Sequence, residues 1–256
     1  MADNNNTGNN AGGDSGISRR TFIKNTGLVT GGIVGGGLLG GILGNQWQTQ
    51  TDTGGATEEG EETNDFDEAR MFFSRDADFN VLSAATERIF PEDDNGPGAI
   101  ALGAPYFIDK QLAGRWGLNA KEYMRGPFQE GDSEQGYQSA MTRSEIFTQG
   151  VRRINEISDE QFEENFDDLE EEQQNEILSA FDSDEVDMDG VSSAMFFSLL
   201  RQATIEGVYS DPLYGGNKNM DGWRMKEYPG AQPAYIDVIE SEEFVEMDPL
   251  SLRDHH

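Results

Sequence analysis

Cysteine is absent from this chain of 256 residues, which removes disulfides, thiolate metal sites, covalent haem attachment and a lipoprotein anchor together. Histidine is nearly absent: the only two are His255 and His256, at the extreme C-terminus. The fold therefore has no imidazole to act as general base, to activate a Ser or Cys nucleophile, or to ligate zinc. Positive charge is scarce too, with Lys+Arg 18 against Asp+Glu 49. The lysines are Lys24, Lys110, Lys121, Lys218 and Lys226 alone. A formal charge of −31 repels a phosphate backbone and argues against nucleic acid as a partner. The acids are spread along the folded part rather than gathered in one tail. That is the expected surface of a halophile's protein, on which hydrated carboxylates maintain solubility while molar salt screens their repulsion.

What is present begins with an address. Residues 1–17 form a polar Asn/Gly/Asp/Ser tail with no apolar face, expected to be disordered. "SRRTFIK" at 18–24 leads into an uncharged, moderately apolar run, and the segment 18–47 reads as a twin-arginine export signal. Arg19, Arg20 and Phe22 are its recognition residues; Ile23 departs from the commoner Leu. Such a signal implies passage of an already folded cargo through the twin-arginine translocase to the outer face of the cytoplasmic membrane. The apolar run is roughly of minimum spanning length. No clear A-x-A cleavage site follows it, so a cleaved signal and an uncleaved anchor both fit. "GGGLLG" at 35–40 satisfies a dinucleotide-binding pattern but follows no strand and lies within the targeting segment, so the match is accidental. Residues 48–64 are a polar linker ahead of a domain over 65–256.

Within that domain apolar residues recur at helical spacing, and nothing alternates with period two for long, so the expected class is all-α. Phe79, Leu82, Thr86, Ile89 and Phe90 share one face of a helix ending at Pro91. The apolar stretch Ile100 to Leu112 ends near Gly114, and the segment from Trp116 to Gly136 reads as a long loop. "TRSE" at 142–145 is a capping box opening a helix with Ile146, Phe147, Gly150, Val151, Ile154 and Ile157 inward; "SDEQ" at 158–161 is expected to open the next. Phe166, Leu169, Gln173, Ile177 and Phe181 suggest an amphipathic helix. A last core helix is expected near Val191 to Glu206, with Gly207 as its stop. "DSDEVDMDG" at 182–190 resembles a calcium loop only in charge. Counted from Asp182, Asp187 stands at the required glycine and Ser193 at the required glutamate, so it reads as an acidic connection.

The segment "GVYSDPLYGGNKNMDGWRMKEYPG" at 207–230 is too rich in Gly, Pro and aromatic residues for a helix. Tyr214, Gly215, Gly216 and Asn217 suit a tight turn with positive φ at the glycines and Asn217, stiffened by Pro212 and Pro229. Its aromatics either close the core or face another protein, since Trp and Tyr serve both. The expected division puts Trp223 in the domain and Tyr214 with Met220 towards a partner.

Taken with "RIFP", "GPGA" and "FIDKQL" in 88–112, the "DPLYGGN…GW…YPG" pattern resembles the gluconate 2-dehydrogenase subunit 3 (gamma chain) family, across about 79–232. The resemblance implies a non-catalytic small subunit that accompanies a large FAD-bearing dehydrogenase subunit, often with a cytochrome c, in oxidising sugars, sugar acids or polyols outside the cytoplasmic membrane. It also implies that this chain holds no cofactor, FAD being expected in the partner, and that its export signal serves a signal-less large subunit. Tyr214, Gly215, Gly216, Asn217, Met220 and Trp223 are the candidate partner contacts. Two other classes fit the residues alone: a secreted enzyme working through carboxylates, and a membrane-tethered binding protein without a redox partner.

Overall fold

The computed structural model describes residues 68–129, 139–236 and 238–254. Arg19, Arg20, Phe22 and the tail, signal and linker segments lie outside the described residues. Among the described residues six α-helices carry the fold: α1 Asp76–Ile89, α2 Ala104–Ala113, α3 Arg143–Phe162, α4 Glu171–Asp182, α5 Ser193–Tyr209 and the single turn α6 Asp221–Arg224. Four 3-10 turns and two isolated β-bridges accompany them, and no strand occurs among the described residues.

Local chemistry sets most of the starts. The Thr142 side chain accepts from the Glu145 amide while Glu145 reaches back to the Thr142 amide, a complete capping box that satisfies two orphan donors of α3. Pro105 sits in the first turn of α2, where its missing N–H costs nothing, and Gly103 enters it at φ 74. The helix therefore starts later than the apolar run that begins at Ile100, and Ile100 itself is exposed.

Three sequence expectations are corrected. "SDEQ" opens no helix: α3 runs unbroken to Phe162, because Ser158 keeps the inward register of Ile154 and is itself buried. Its hydroxyl donates 2.7 Å to the Glu164 carbonyl instead of capping. Phe166 and Leu169 are not on α4. They belong to a 3-10 turn and its end, and α4 opens at a second capping box between Glu170 and Gln173. The inward glutamine is Gln174, whose amide donates to the Phe166 carbonyl at 2.8 Å. Gly207 does not stop α5, which continues to Tyr209. Gly207 is glycine because α2 lies on it: a Cβ there would come within 3.0–3.1 Å of Phe107 and Ala104.

Helices α1 and α5 each touch the other four long helices. Helices α3, α4 and α5 contribute an aromatic cluster in which Phe147 and Phe181 meet the Phe196 ring edge-on, with centroids 5.7 and 5.6 Å apart. Each such pair adds about 0.5–1.5 kcal/mol to simple burial. The chain enters the domain over α2. There the fully buried Asp109 carboxylate accepts hydrogen bonds from the backbone amides of Met71, Phe72 and Phe73, at 3.1 Å from Phe72 and 2.8 Å from Phe73. Backbone donors thus compensate a charge that would otherwise be costly to bury.

A candidate partner-docking loop

A second, smaller core gathers the motif residues that lie far apart in sequence. Phe90, Ala99, Leu102, Ala104 and Val208 pack together, with Tyr209 and Met225 against them. The end of α1, the "GPGA" turn, the end of α5 and the loop after α5 therefore meet at one place. Backbone bonds stitch the pieces: Ala99 N–H to Phe90 O at 2.8 Å and Lys218 N–H to Leu102 O at 3.0 Å.

The loop over 210–230 is laid directly on helix backbone. Cβ atoms at Gly216 and Gly222 would overlap the Gly207 and Val208 carbonyl oxygens, so only glycine permits the contact. Asn217 locks it. Fully buried, with φ 48, it donates from Nδ2 to Ser210 O at 2.8 Å and accepts at Oδ1 from Gly222 N–H at 2.8 Å. One side chain thus ties the end of α5 to the start of α6. Gly215, at φ 88, makes the preceding turn, whereas Gly216 has no positive φ. Trp223 is only 6 % exposed; its Nε1–H donates to Tyr209 O at 2.9 Å, and Tyr228 meets its ring edge-on at 5.3 Å.

Above this scaffold lies a groove of about 590 Å³ between α2 and α5, lined by Phe107, Gln111, Ile205, Glu206, Tyr209 and Tyr214. Tyr214 is 51 % exposed at its rim beside the exposed Leu213, while Met220 is half-buried. The structure thus places Gly216, Asn217 and Trp223 inside the loop and Tyr214 on its outer side. Sequence reasoning missed Ile205 and Leu213. Ile205 was findable as a β-branched residue lying off the inward face marked by Phe196, Leu200 and Ala203.

A second concavity, of about 840 Å³, lies along α3 and mixes Arg152, Arg153, Glu145 and Glu156 with Asp187 and Asp189. Its arginines are engaged within the domain: Arg152 with Asp78 at 3.4 Å, Arg153 with Glu156 at 3.2 Å and Glu160 at 3.3 Å. The Glu145 carboxyl is held below its ordinary value by the Thr142 amide and hydroxyl, which stabilise its ionised form. Among the described residues no cluster of His, Cys, Asp or Glu is arranged to hold a metal, and no helix is long and apolar enough to cross a membrane.

The model of the gluconate 2-dehydrogenase subunit 3 family matches residues 76–230. The chain belongs to this family. The matched span starts at the first residue of α1 and ends at Gly230, so it encloses the smaller core, the Asn217 lock and the buried residues of the larger core except Phe73. Membership in this subunit 3 family implies a complex with a larger dehydrogenase subunit. No curated protein and no solved structure matches the chain.

Proposed function

We propose that this chain is the non-catalytic small subunit of an exported, membrane-associated FAD-dependent oxidoreductase of the gluconate 2-dehydrogenase type. It binds the large flavoprotein subunit and, through Arg19, Arg20 and Phe22, escorts it along the twin-arginine pathway to the outer face of the cytoplasmic membrane. The flavin belongs to the partner, which passes its electrons to a cytochrome c or another membrane electron acceptor. The observation that carries this reading is the loop over 210–230: its interior is fixed by Asn217 and Trp223, yet it presents Tyr214 and Leu213 to solvent beside an apolar groove. A rigid scaffold offering an aromatic anchor is the economical way to bind a protein, because little ordering entropy is lost on docking. Supporting it, histidine, the side chain that carries acid–base chemistry most often, occurs only at positions 255 and 256.

The test is a mild-detergent pull-down from the native host, with mass spectrometry and a flavin absorbance spectrum. A large yellow protein should co-elute. Replacing Tyr214 and Met220 with Ala should reduce its recovery while the circular dichroism melt of the isolated chain stays unchanged. A chain always recovered alone, or one that dehydrogenates a polyol without any flavoprotein, would overturn the proposal.

A further inference from the structure

Around α2 the balance of charge reverses. Residues 154–200 carry no lysine or arginine, whereas between Asn95 and Lys121 the only acid is Asp109, fully buried beneath the amides of Met71 to Phe73. Arg115, Lys121 and Arg125 then fall within one loop, and all three are exposed. The one acid among them, Glu122, is already committed: its carboxylate accepts from the Arg143 guanidinium at 2.8 Å. No ion pair among the described residues engages Arg115, Lys121 or Arg125. In a chain with Lys+Arg 18 against Asp+Glu 49, three cations left together without a carboxylate call for an anion supplied from outside.

The backbone that carries them is held by the start of α3. Asn119, fully buried and at φ 51, accepts at Oδ1 from Arg143 N–H at 3.0 Å. Ser144 N–H donates to Gly117 O at 3.0 Å, and its hydroxyl donates to Leu112 O at 2.9 Å. The Arg143 guanidinium also lies 5.0 Å over the Trp116 ring. From this fixed base Leu118 and Tyr123 stand out, 62 % and 81 % exposed. An aliphatic and an amphipathic aromatic side chain interleaved with lysine and arginine suit the headgroup level of a membrane: the apolar groups enter the boundary with hydrocarbon while the long basic chains reach phosphate. Lysine, by contrast, is depleted at protein–protein interfaces.

We propose that the loop over 115–125 rests on the membrane surface, with Arg115, Lys121 and Arg125 bonded to the phosphates of anionic lipid headgroups and Leu118 and Tyr123 entering the layer beneath them. This rests on the membrane association proposed above and deepens it. The path of the chain agrees. The segment that follows the export signal is clamped to Asp109, about one turn before α2 ends at Ala113, and Arg115 lies just beyond that end. Nor does a net charge of −31 stand against it. In ~1 M salt the reach of distant carboxylates shrinks to about 3 Å, so only groups at the contact count. A guanidinium–phosphate bond is made within that distance and is charge-assisted at both ends.

The absence of cysteine lets a single label be placed at will. Full-length chains carrying Ala120→Cys or, as a reference, Glu172→Cys on α4 are labelled with bimane and titrated with phosphatidylglycerol–phosphatidylcholine vesicles that contain a lipid spin-labelled near its headgroup. Quenching should be strong at 120 and weak at 172. R115Q/K121Q/R125Q should weaken binding read at 120 about 10-fold on these vesicles and leave pure phosphatidylcholine unaffected, whereas L118S/Y123S should weaken both. Both variants should melt with the wild type, because the replaced side chains are exposed. The signal is present in every chain, so its own insertion does not produce these differences. Equal quenching at 120 and 172, or a charge variant that binds like wild type, would overturn the proposal. Flavoprotein recovery is scored in parallel and should be unchanged in the charge variant. Loss of flavoprotein with quenching intact would assign the loop to the partner and overturn the membrane as its occupant. Strong quenching at 120 in a wild-type chain that recovers no flavoprotein would overturn the proposed function and leave the membrane contact standing.

Discussion

Asn217→Ala is the perturbation that most directly tests how the docking loop is held. The substitution removes both side-chain bonds, Nδ2 to Ser210 O and Gly222 N–H to Oδ1, each 2.8 Å long and made by a side chain that is itself fully buried. Losing them and leaving the partner groups buried costs about 2–4 kcal/mol. Alanine at φ 48 adds about 1 kcal/mol that asparagine largely avoids. In a domain of this size ~1 kcal/mol moves the melting point by about 2–4 °C, so Asn217→Ala should melt roughly 10 °C below wild type. Asn217→Gly separates the two causes: it also forfeits the bonds but tolerates the left-handed backbone, and should recover about 3 °C. Calorimetry at fixed KCl reads the melts. Limited trypsin digestion at Lys218 and Arg224 shows whether the loop opens before the helices. An Ala variant within about 2 °C of wild type would refute the lock, and identical Ala and Gly variants would refute the backbone part of the argument.

Asp109→Ala should remove the acceptor for the amides of Met71, Phe72 and Phe73 and cost about 3–5 kcal/mol, seen as a lower urea midpoint; an unchanged midpoint would count against the anchor. The Glu145 carboxyl, held below its ordinary 4.5 by Thr142, contributes stability that is full above that value and lost as pH falls through the folded value. Glu145→Gln keeps a capping-box side chain without titrating, so the stability gap between wild type and variant should shrink between about pH 7 and about pH 3. The scattered acids and charge of −31 make the fold salt-dependent in our reading; its melting point should climb from dilute buffer to ~2 M KCl, and a flat profile would reject halophilic adaptation.

The parts of the fold legible in sequence were those fixed by neighbours along the chain. The inward face of α1 follows from spacing alone, and the start of α3 from Thr142 and Glu145, which satisfy each other. What stayed hidden depends on distant backbone. Gly207 looks like a helix stop in any sequence reading; only the arrival of α2 on that side of α5 reveals it as a close contact. Asp109 is one acid among many, and nothing local distinguishes a carboxylate that will be buried beneath amides 36 to 38 residues away. Ser158 carries a capping signature whose hydroxyl is spent on Glu164. Within the docking loop, the turn at Gly215 and the positive φ of Asn217 were readable from residue type, whereas the groove beside Tyr214 needs α2 and α5 in place.

This dependence on distant backbone bears on why the docking surface is a loop. Helices α1 and α5 spend their apolar faces on the other long helices, which leaves little to offer a partner. A loop can present Tyr214 and Leu213 only if its own polar backbone is satisfied, and a free loop would satisfy it with water and remain mobile. Here the acceptors and donors are supplied by helix ends: Ser210 O and Tyr209 O beyond and within the last turn of α5, Gly222 N–H in the first turn of α6. Those are the groups a helix leaves unpaired at its termini. Trp223 and Asn217 therefore perform two tasks at once, closing two helices and stiffening what lies between them. Stiffness lowers the entropy lost on association. It follows that a substitution at Asn217, which touches no partner, should weaken large-subunit binding as well as stability, whereas one at Tyr214 should weaken binding alone.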